Sequence, residues 1–188
     1  MEPSKRTRKK STRRARRTVV PSSPLLDQLQ ELDHRLLHAF SRHRTRPVTF
    51  LFRFLCRLLD PEVCLMWGIF LIVLGPPYLD VVERIFIALF SASIMVVVVK
   101  RTVKRQRPIG KLHAAAPPDR FSFPSGHTTA AFALAICMFG VAPTLAPIFI
   151  LVAALVGYAR MYLGVHYPVD VLAGVVLGVF SGSIAALL

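Results

Sequence analysis

The sequence predicts an all-α protein, a multi-span transmembrane helical bundle of five or six spans with an amphipathic amino-terminal helix. Three observations carry this. The mean hydropathy is +0.53 and 54% of the 188 residues are hydrophobic, above the ~45–50% of an ordinary globular chain. The excess is concentrated: residues 1–47 are mostly polar, whereas 62–75, 81–99, 128–141, 145–158 and 168–188 are almost free of charge. A soluble globule with this many uncharged helices in series would have too little polar sequence left to cover its surface.

The elements follow in order. Nine Lys or Arg fall within the first seventeen residues, with no apolar run directly after them, so residues 1–23 read as a disordered basic tail rather than a cleaved signal. A net charge of +14 invites nucleic acid. Beside membrane spans, however, such a run is better matched to anionic lipid, at about 1 kcal/mol per basic residue, and no nucleic-acid partner is expected. Residues 24–60 form an amphipathic and interfacial region. Within it, Leu25, Leu29, Leu32 and Leu36 recur at three- and four-residue steps, as in a helix lying on a membrane surface. His34 and His38 have helical ligand spacing but no zincin glutamate between them, and read as solvated. Residues 47–60 are apolar but carry Arg53 and Arg57, which suits an interfacial or partly inserted helix.

Residues 61–188 form the bundle. A span needs roughly 20 apolar residues, with ~17 a workable minimum. The segments 81–99 and 168–188 meet that alone, and the others do so with their flanks. Gly174, Gly178 and Gly182 make a small-residue stripe that lets another helix approach closely. Cys56, Cys64 and Cys137 are scattered and odd in number, which indicates neither a disulfide framework nor a zinc site; at least Cys64 and Cys137 are expected to be buried.

Polar groups interrupt this pattern in three places: "KRTVKRQRP" at 100–108, "PSGH" at 124–127 and "ARMYLGVHYPVD" at 159–170. Because successive spans alternate direction, all three emerge at one membrane face. Lys100, Arg107 and Arg160 offer fixed positive charge, and the arginine fork matches phosphate oxygens. Pro124-Ser125-Gly126 opens a helix whose free N–H groups and dipole attract an anion. His166 lies four residues before Asp170, close enough for the carboxylate to accept the imidazole N–H and leave the other nitrogen as a nucleophile. His127 is placed to protonate a leaving oxygen. Carboxylates in these segments are too few for a Mg²⁺ cage, so no metal or cofactor is expected.

These residues resemble the type 2 phosphatidic acid phosphatase superfamily, which includes membrane lipid phosphate phosphatases and soluble vanadium haloperoxidases. Its pattern KxxxxxxRP is met by Lys100, Arg107 and Pro108, PSGH is complete at Pro124 to His127, and SRxxxxxHxxxD is met by Arg160, His166 and Asp170. The one departure is Ala159, where the family has serine. The resemblance covers roughly residues 81–188. It implies that His166 forms a phosphohistidine and that Asp170 orients it. His127 then serves as acid and base, while Lys100, Arg107, Arg160 and the backbone at Ser125 and Gly126 hold the phosphoryl oxygens. The expected function is metal-independent hydrolysis of a membrane lipid phosphate or diphosphate: polyprenyl diphosphate, phosphatidic acid or phosphatidylglycerol phosphate. The alternative is a non-catalytic membrane scaffold with a recruiting basic tail. The expected location is the cell membrane, as a multi-pass protein. The Lys/Arg distribution favours five spans with the site on the cytoplasmic face; should residues 47–60 or the preceding helix cross, the site moves outside.

Overall fold

In a computed structural model the chain is described over residues 24–108, 114–115 and 119–187; the basic tail expected at 1–23 lies outside these. Seven α-helices follow one another: α1 Pro24–Ser41, α2 Arg46–Arg57, α3 Pro61–Val73, α4 Leu79–Val103, α5 Gly126–Val141, α6 Ala146–Tyr162 and α7 Pro168–Ala186, with a 3₁₀ turn at Pro76–Tyr78 between α3 and α4. Proline occupies the first turn of α2, α3, α6 and α7, where its missing N–H costs nothing and its fixed φ favours the helix. The left-handed backbone at Lys104 (φ 50°) closes α4, its N–H returning to the Lys100 carbonyl. That turn leads the chain away from α4, and Ser122 pairs with the Arg105 backbone beyond it.

The core is built from small residues. Ala88 and Ala92 of α4 meet Ala133, Cys137 and Met138 of α5 and Ala185 of α7, and Ala131 and Ala135 of α5 meet Ala153 and Val156 of α6. The bulky residues point outward instead, among them Phe86, Phe90 and Ile94 on α4, Ile148 and Leu151 on α6, and Leu172, Val176 and Phe180 on α7. Small side chains between helices and large ones outside are the arrangement of a bundle in lipid, where close approach rather than apolar burial drives packing. Ser91 of α4 and Ser181 of α7 add a hydroxyl pair at 2.5 Å, and Ser181 also donates to the Ala88 carbonyl at 2.6 Å. Arg84 caps the far end of α7 by donating to the Ala185 and Ala186 carbonyls. Cys56 and Cys137 are buried but Cys64 is only partly so; the expectation for Cys64 fails because α3 has no buried residue.

The α5–α7 seam is the closest in the bundle. A β-carbon at Gly174 would stand 2.8 Å from the Ser125 carbonyl oxygen, one at Gly178 2.5 Å from that of Thr129, and one at Gly182 2.5 Å from that of Ala133. The obstacles are backbone atoms, so a side chain fits only if the helices separate. Gly178→Leu is therefore expected to lower stability by more than the ~1–3 kcal/mol typical of added core methylenes. It should also loosen the α7 end that carries Asp170. Thermal melts in detergent check this, and a melting temperature equal to that of the wild type would refute the seam.

Among the described residues, only Pro76–Val103 and Pro168–Ala186 are long and apolar enough to cross a membrane on their own; Pro61–Val73, Gly126–Val141 and Ala146–Tyr162 are shorter apolar helices. With its flank α6 has 17 residues, the workable minimum for a span, while α3 has 13 and α5 16. In α1 the leucine stripe of Leu25, Leu29, Leu32 and Leu36 is exposed, while the face turned to the bundle carries Asp33, Leu37 and Ser41. The inward face is thus partly polar, and this bears on the site.

Candidate active site

Alternating helix directions bring the end of α4 and the starts of α5 and α7 to the same end of the bundle as the end of α6. The chain between α6 and α7 is fixed by Gly164 (φ 72°), a conformation glycine adopts without strain, and by the Val165 N–H, which returns to the Arg160 carbonyl. This places His166 inside, 1% exposed. Its Nδ1 lies 2.7 Å from the Ser122 carbonyl oxygen and its Nε2 3.1 Å from Nη1 of Arg107. Burial, then the positive charges of Arg160, Arg107 and Lys100, push the imidazole well below its ordinary pKa, so the ring is neutral. A carbonyl can only accept, so the single proton sits on Nδ1. Nε2 therefore carries a lone pair, which accepts from Arg107.

Asp170 faces the same imidazole Nδ1 without being hydrogen-bonded to it. Its Oδ2 stands 3.7 Å from His166 Nδ1, too far for a hydrogen bond, and instead accepts the Tyr167 N–H at 2.9 Å. Its Oδ1 accepts from Arg105 at 2.7 Å. The fully buried carboxylate fixes the loop around His166 while the Ser122 carbonyl orients the ring.

The cations converge as expected. Arg107 donates to the Asp119 carbonyl and carboxylate at 2.8 and 2.7 Å and to the Val165 carbonyl at 2.8 Å, and Lys100 also pairs with the Asp119 carboxylate. Burial works against the charge on Asp119, but hydrogen bonds from Lys100 and Arg107 outweigh it and hold the carboxyl below its usual range. Asp119 thus occupies, as an anion, the place between two cations that a phosphate would take. Arg160 is 4% exposed, and its Nε and Nη2 find no hydrogen-bond partner among the described residues. Buried guanidinium donors without acceptors are costly, and phosphoryl oxygens would satisfy them.

At the start of α5 the Ser125 N–H is already bonded to the Asp170 carbonyl at 3.0 Å, and its hydroxyl pairs with that of Thr128 at 2.9 Å. Contrary to expectation, Ser125 is committed to bracing α5 against α7. The first intrahelical bond is Thr129 N–H to the Ser125 carbonyl, so the amides that a helix start offers to an anion begin at Gly126. His127 projects from the same turn, its Nε2 3.1 Å from Oδ1 of Asp60. Ala159, the departure from the pattern, is fully buried among Phe52, Cys56, Tyr162, Leu163 and Val165, so its β-carbon meets an apolar cluster. His34 is exposed, as the sequence suggests, and its ring packs edge-on against Tyr167 at 4.9 Å.

Residues 82–188 match the PAP2 superfamily. The chain belongs to that superfamily. The matched segment holds Lys100, Arg107, the PSGH turn, Arg160, His166 and Asp170. Among relatives of the PAP2 chain described here, decaprenylphosphoryl-5-phosphoribose phosphatase of Mycobacterium tuberculosis (strain ATCC 25618 / H37Rv) is 41% identical over 97 residues, which is 50% of this chain and 54% of that one. Undecaprenyl-diphosphatase BcrC of Bacillus subtilis (strain 168) is 39% identical over 61 residues, 32% of each chain. The chain thus spans about half the length of the mycobacterial relative and about a third of the Bacillus one. The crystal structure of Aquifex aeolicus LpxE superposes with a TM-score of 0.70 at 28% identity, over 84% of this chain and 96% of that one. A transmembrane PAP2-type phosphatidylglycerolphosphate phosphatase from Bacillus subtilis shares the fold, with a TM-score of 0.73 at 22% identity over 85% of each chain.

The sequence missed four participants. Ser122 acts through its carbonyl, which no side-chain pattern reveals. Asp60 reads as an ordinary cap before Pro61. Arg105 was hidden in a run of cations, and Asp33 in a helix whose leucines dominate its periodicity.

Proposed function

We propose that this protein is a lipid phosphate phosphatase of the PAP2 superfamily, multi-pass in the cell membrane, working without a metal through a phosphohistidine. The observation that carries the reading is the state of His166: a buried neutral ring with its proton held on Nδ1 by the Ser122 carbonyl and its Nε2 lone pair directed at Arg107. A phosphoryl group entering here takes over the Arg107 N–H groups and displaces Asp119 from Lys100. It also supplies acceptors to Nε and Nη2 of Arg160, and meets the lone pair. Nε2 bonds to phosphorus as the bond to the leaving oxygen breaks, and His127 delivers a proton to that oxygen. In the second step water attacks phosphorus and gives a proton back to His127, the N–P bond breaks, and inorganic phosphate leaves. The three cations and the α5 amides neutralise the charge that develops on the equatorial oxygens.

The substrate is the terminal phosphate of an isoprenoid or glycerolipid. Beside His127 and Arg160 a cleft of about 670 Å³ is lined by Phe50, Phe54, Arg53 and Arg57 of α2, on the side where His127 must meet the leaving group. Aromatic rings there suit a lipid tail, and guanidinium groups suit a second phosphate between tail and scissile bond. The names of the mycobacterial and Bacillus relatives support polyprenyl substrates over glycerolipids. The five apolar helices provide five spans, with the exposed leucines of α1 and the basic tail resting on anionic lipid.

Phosphate release by the purified protein tests the reading, using polyprenyl diphosphate, decaprenylphosphoryl-5-phosphoribose, phosphatidic acid and phosphatidylglycerol phosphate in the presence of excess chelator. Turnover of a polyprenyl substrate undiminished by chelator is expected. Absence of hydrolysis across the panel would overturn it and return the scaffold reading, and a strict Mg²⁺ requirement would overturn the metal-independent mechanism.

A further inference from the structure

Asp33 belongs to α1, which lies outside residues 82–188 matched to the family. It is 2% exposed, and a carboxylate is seldom buried unless it is paired. Both its oxygens are engaged. Oδ1 accepts the Val169 N–H in the first turn of α7 at 3.0 Å, and Oδ2 accepts from Nη2 of Arg105 at 2.5 Å. Nη1 of the same guanidinium donates to Asp170, and its carbon sits 4.3 Å above the centre of the Tyr167 ring. One arginine is therefore clamped between two buried carboxylates, one from α1 and one from α7, over the residue that follows His166.

The backbone of Arg105 closes the circuit. Its carbonyl accepts the Ser122 N–H at 2.9 Å, and the Ser122 carbonyl is the group that holds His166 Nδ1. Arg105 thus brackets His166 from both sides: its main chain supports the acceptor of the imidazole proton, and its side chain supports Asp170 and the loop. Asp33 is what fixes the guanidinium. With Asp33 neutral, Arg105 keeps only Asp170 as an ionic partner and can swing toward it, and both supports of His166 move together.

Resting on the phosphatase reading above, we propose that Asp33 is a positioning residue for His166, acting through Arg105, so that the amino-terminal helix completes an active site whose reacting groups all lie in the family region. A nucleophile displaced by a fraction of an ångström loses rate rather than affinity, since a misplacement of ~1 Å can cost about a hundredfold.

The test uses the full-length protein with Asp33→Asn, which keeps the shape and an acceptor for the Val169 N–H, together with Arg105→Lys and the double variant. Asp33→Asn is expected to lower kcat by about tenfold with KM within about twofold, and to slow phosphoenzyme formation in a single turnover by the same factor. Arg105→Lys is expected to show a similar loss, and the double variant no more than the larger single loss, because the two residues act as one device. An unchanged kcat in Asp33→Asn, a rise in KM alone, or single losses that multiply in the double variant would overturn the proposal. If Asp33→Asn does not fold, Arg105→Lys carries the decision by the same split of kcat from KM. His166→Ala in the same assay separates the two levels. An inactive His166→Ala beside a fully active Asp33→Asn sinks only the positioning role, whereas an active His166→Ala sinks the phosphatase mechanism itself.

Discussion

His166→Ala is expected to reduce phosphate release by roughly 10⁴-fold or more, the scale seen when a covalent nucleophile is removed and only binding and charge stabilisation remain. The structure gives the reason for so large an effect. Among the described residues the other imidazole at the site is His127, whose Nε2 is turned to Asp60, so it does not stand in for the nucleophile. Water entering in place of the ring would find on that side only the Ser122 carbonyl, which accepts hydrogen bonds but takes no proton, while His127 stands on the leaving-group side. The alanine also opens a polar hole rather than an apolar cavity, and Arg107 retains Asp119 and the Val165 carbonyl, so the fold should survive. Detergent-purified variant with an unchanged elution profile and melting temperature, assayed on the best substrate of the panel, checks this. Activity within tenfold of wild type would end the mechanism.

His127→Ala is expected to be slower by about 10²–10⁴-fold, the usual worth of a positioned acid and base, and to differ from His166→Ala in kind. His127 acts in both half-reactions, while the nucleophile, its Ser122 acceptor and the three cations are untouched by the change. With a substrate whose leaving group is already a good one, such as a polyprenyl diphosphate departing as the monophosphate, the first step depends less on the proton than the second does on activation of water. Phosphoenzyme should then accumulate. A brief pre-incubation with substrate followed by gel separation would reveal it as a stable band shift or a mass increase of one phosphoryl group. Equal slowing of both steps, with no accumulation, would assign His127 a binding role instead.

Much of this was legible in the chain, because the physics that makes it legible is local. Lys100 and Arg107, the PSGH turn, and Arg160 with His166 stand at helix ends, and alternation of spans alone brings those ends together. Small residues at 174, 178 and 182 announced a close seam, and the distances at Gly178 bear it out. What eluded the sequence depends on long-range geometry. The partner of His166 Nδ1 is a main-chain carbonyl 44 residues away, held in place by the Ser122 N–H bond to the Arg105 carbonyl. Asp170 was assigned to the imidazole on the strength of four-residue spacing, yet the N-terminal turn of α7 gives its carboxylate a nearer donor in the Tyr167 N–H. In α1, the apolar stripe signals the face turned to lipid; the inward face is chosen by Asp33 and its ion pair with Arg105, which no periodicity encodes.

The central claim is that His166 Nε2 forms a covalent bond to phosphorus, and one measurement addresses it directly: rapid quenching of the full-length protein with substrate labelled in its terminal phosphate, followed by peptide mapping. The account predicts an acid-labile, base-stable label on His166 that appears no more slowly than turnover, is absent from His166→Ala and persists in His127→Ala. Label on any other residue, or hydrolysis in progress with no protein-bound phosphate at any quench time, would contradict it.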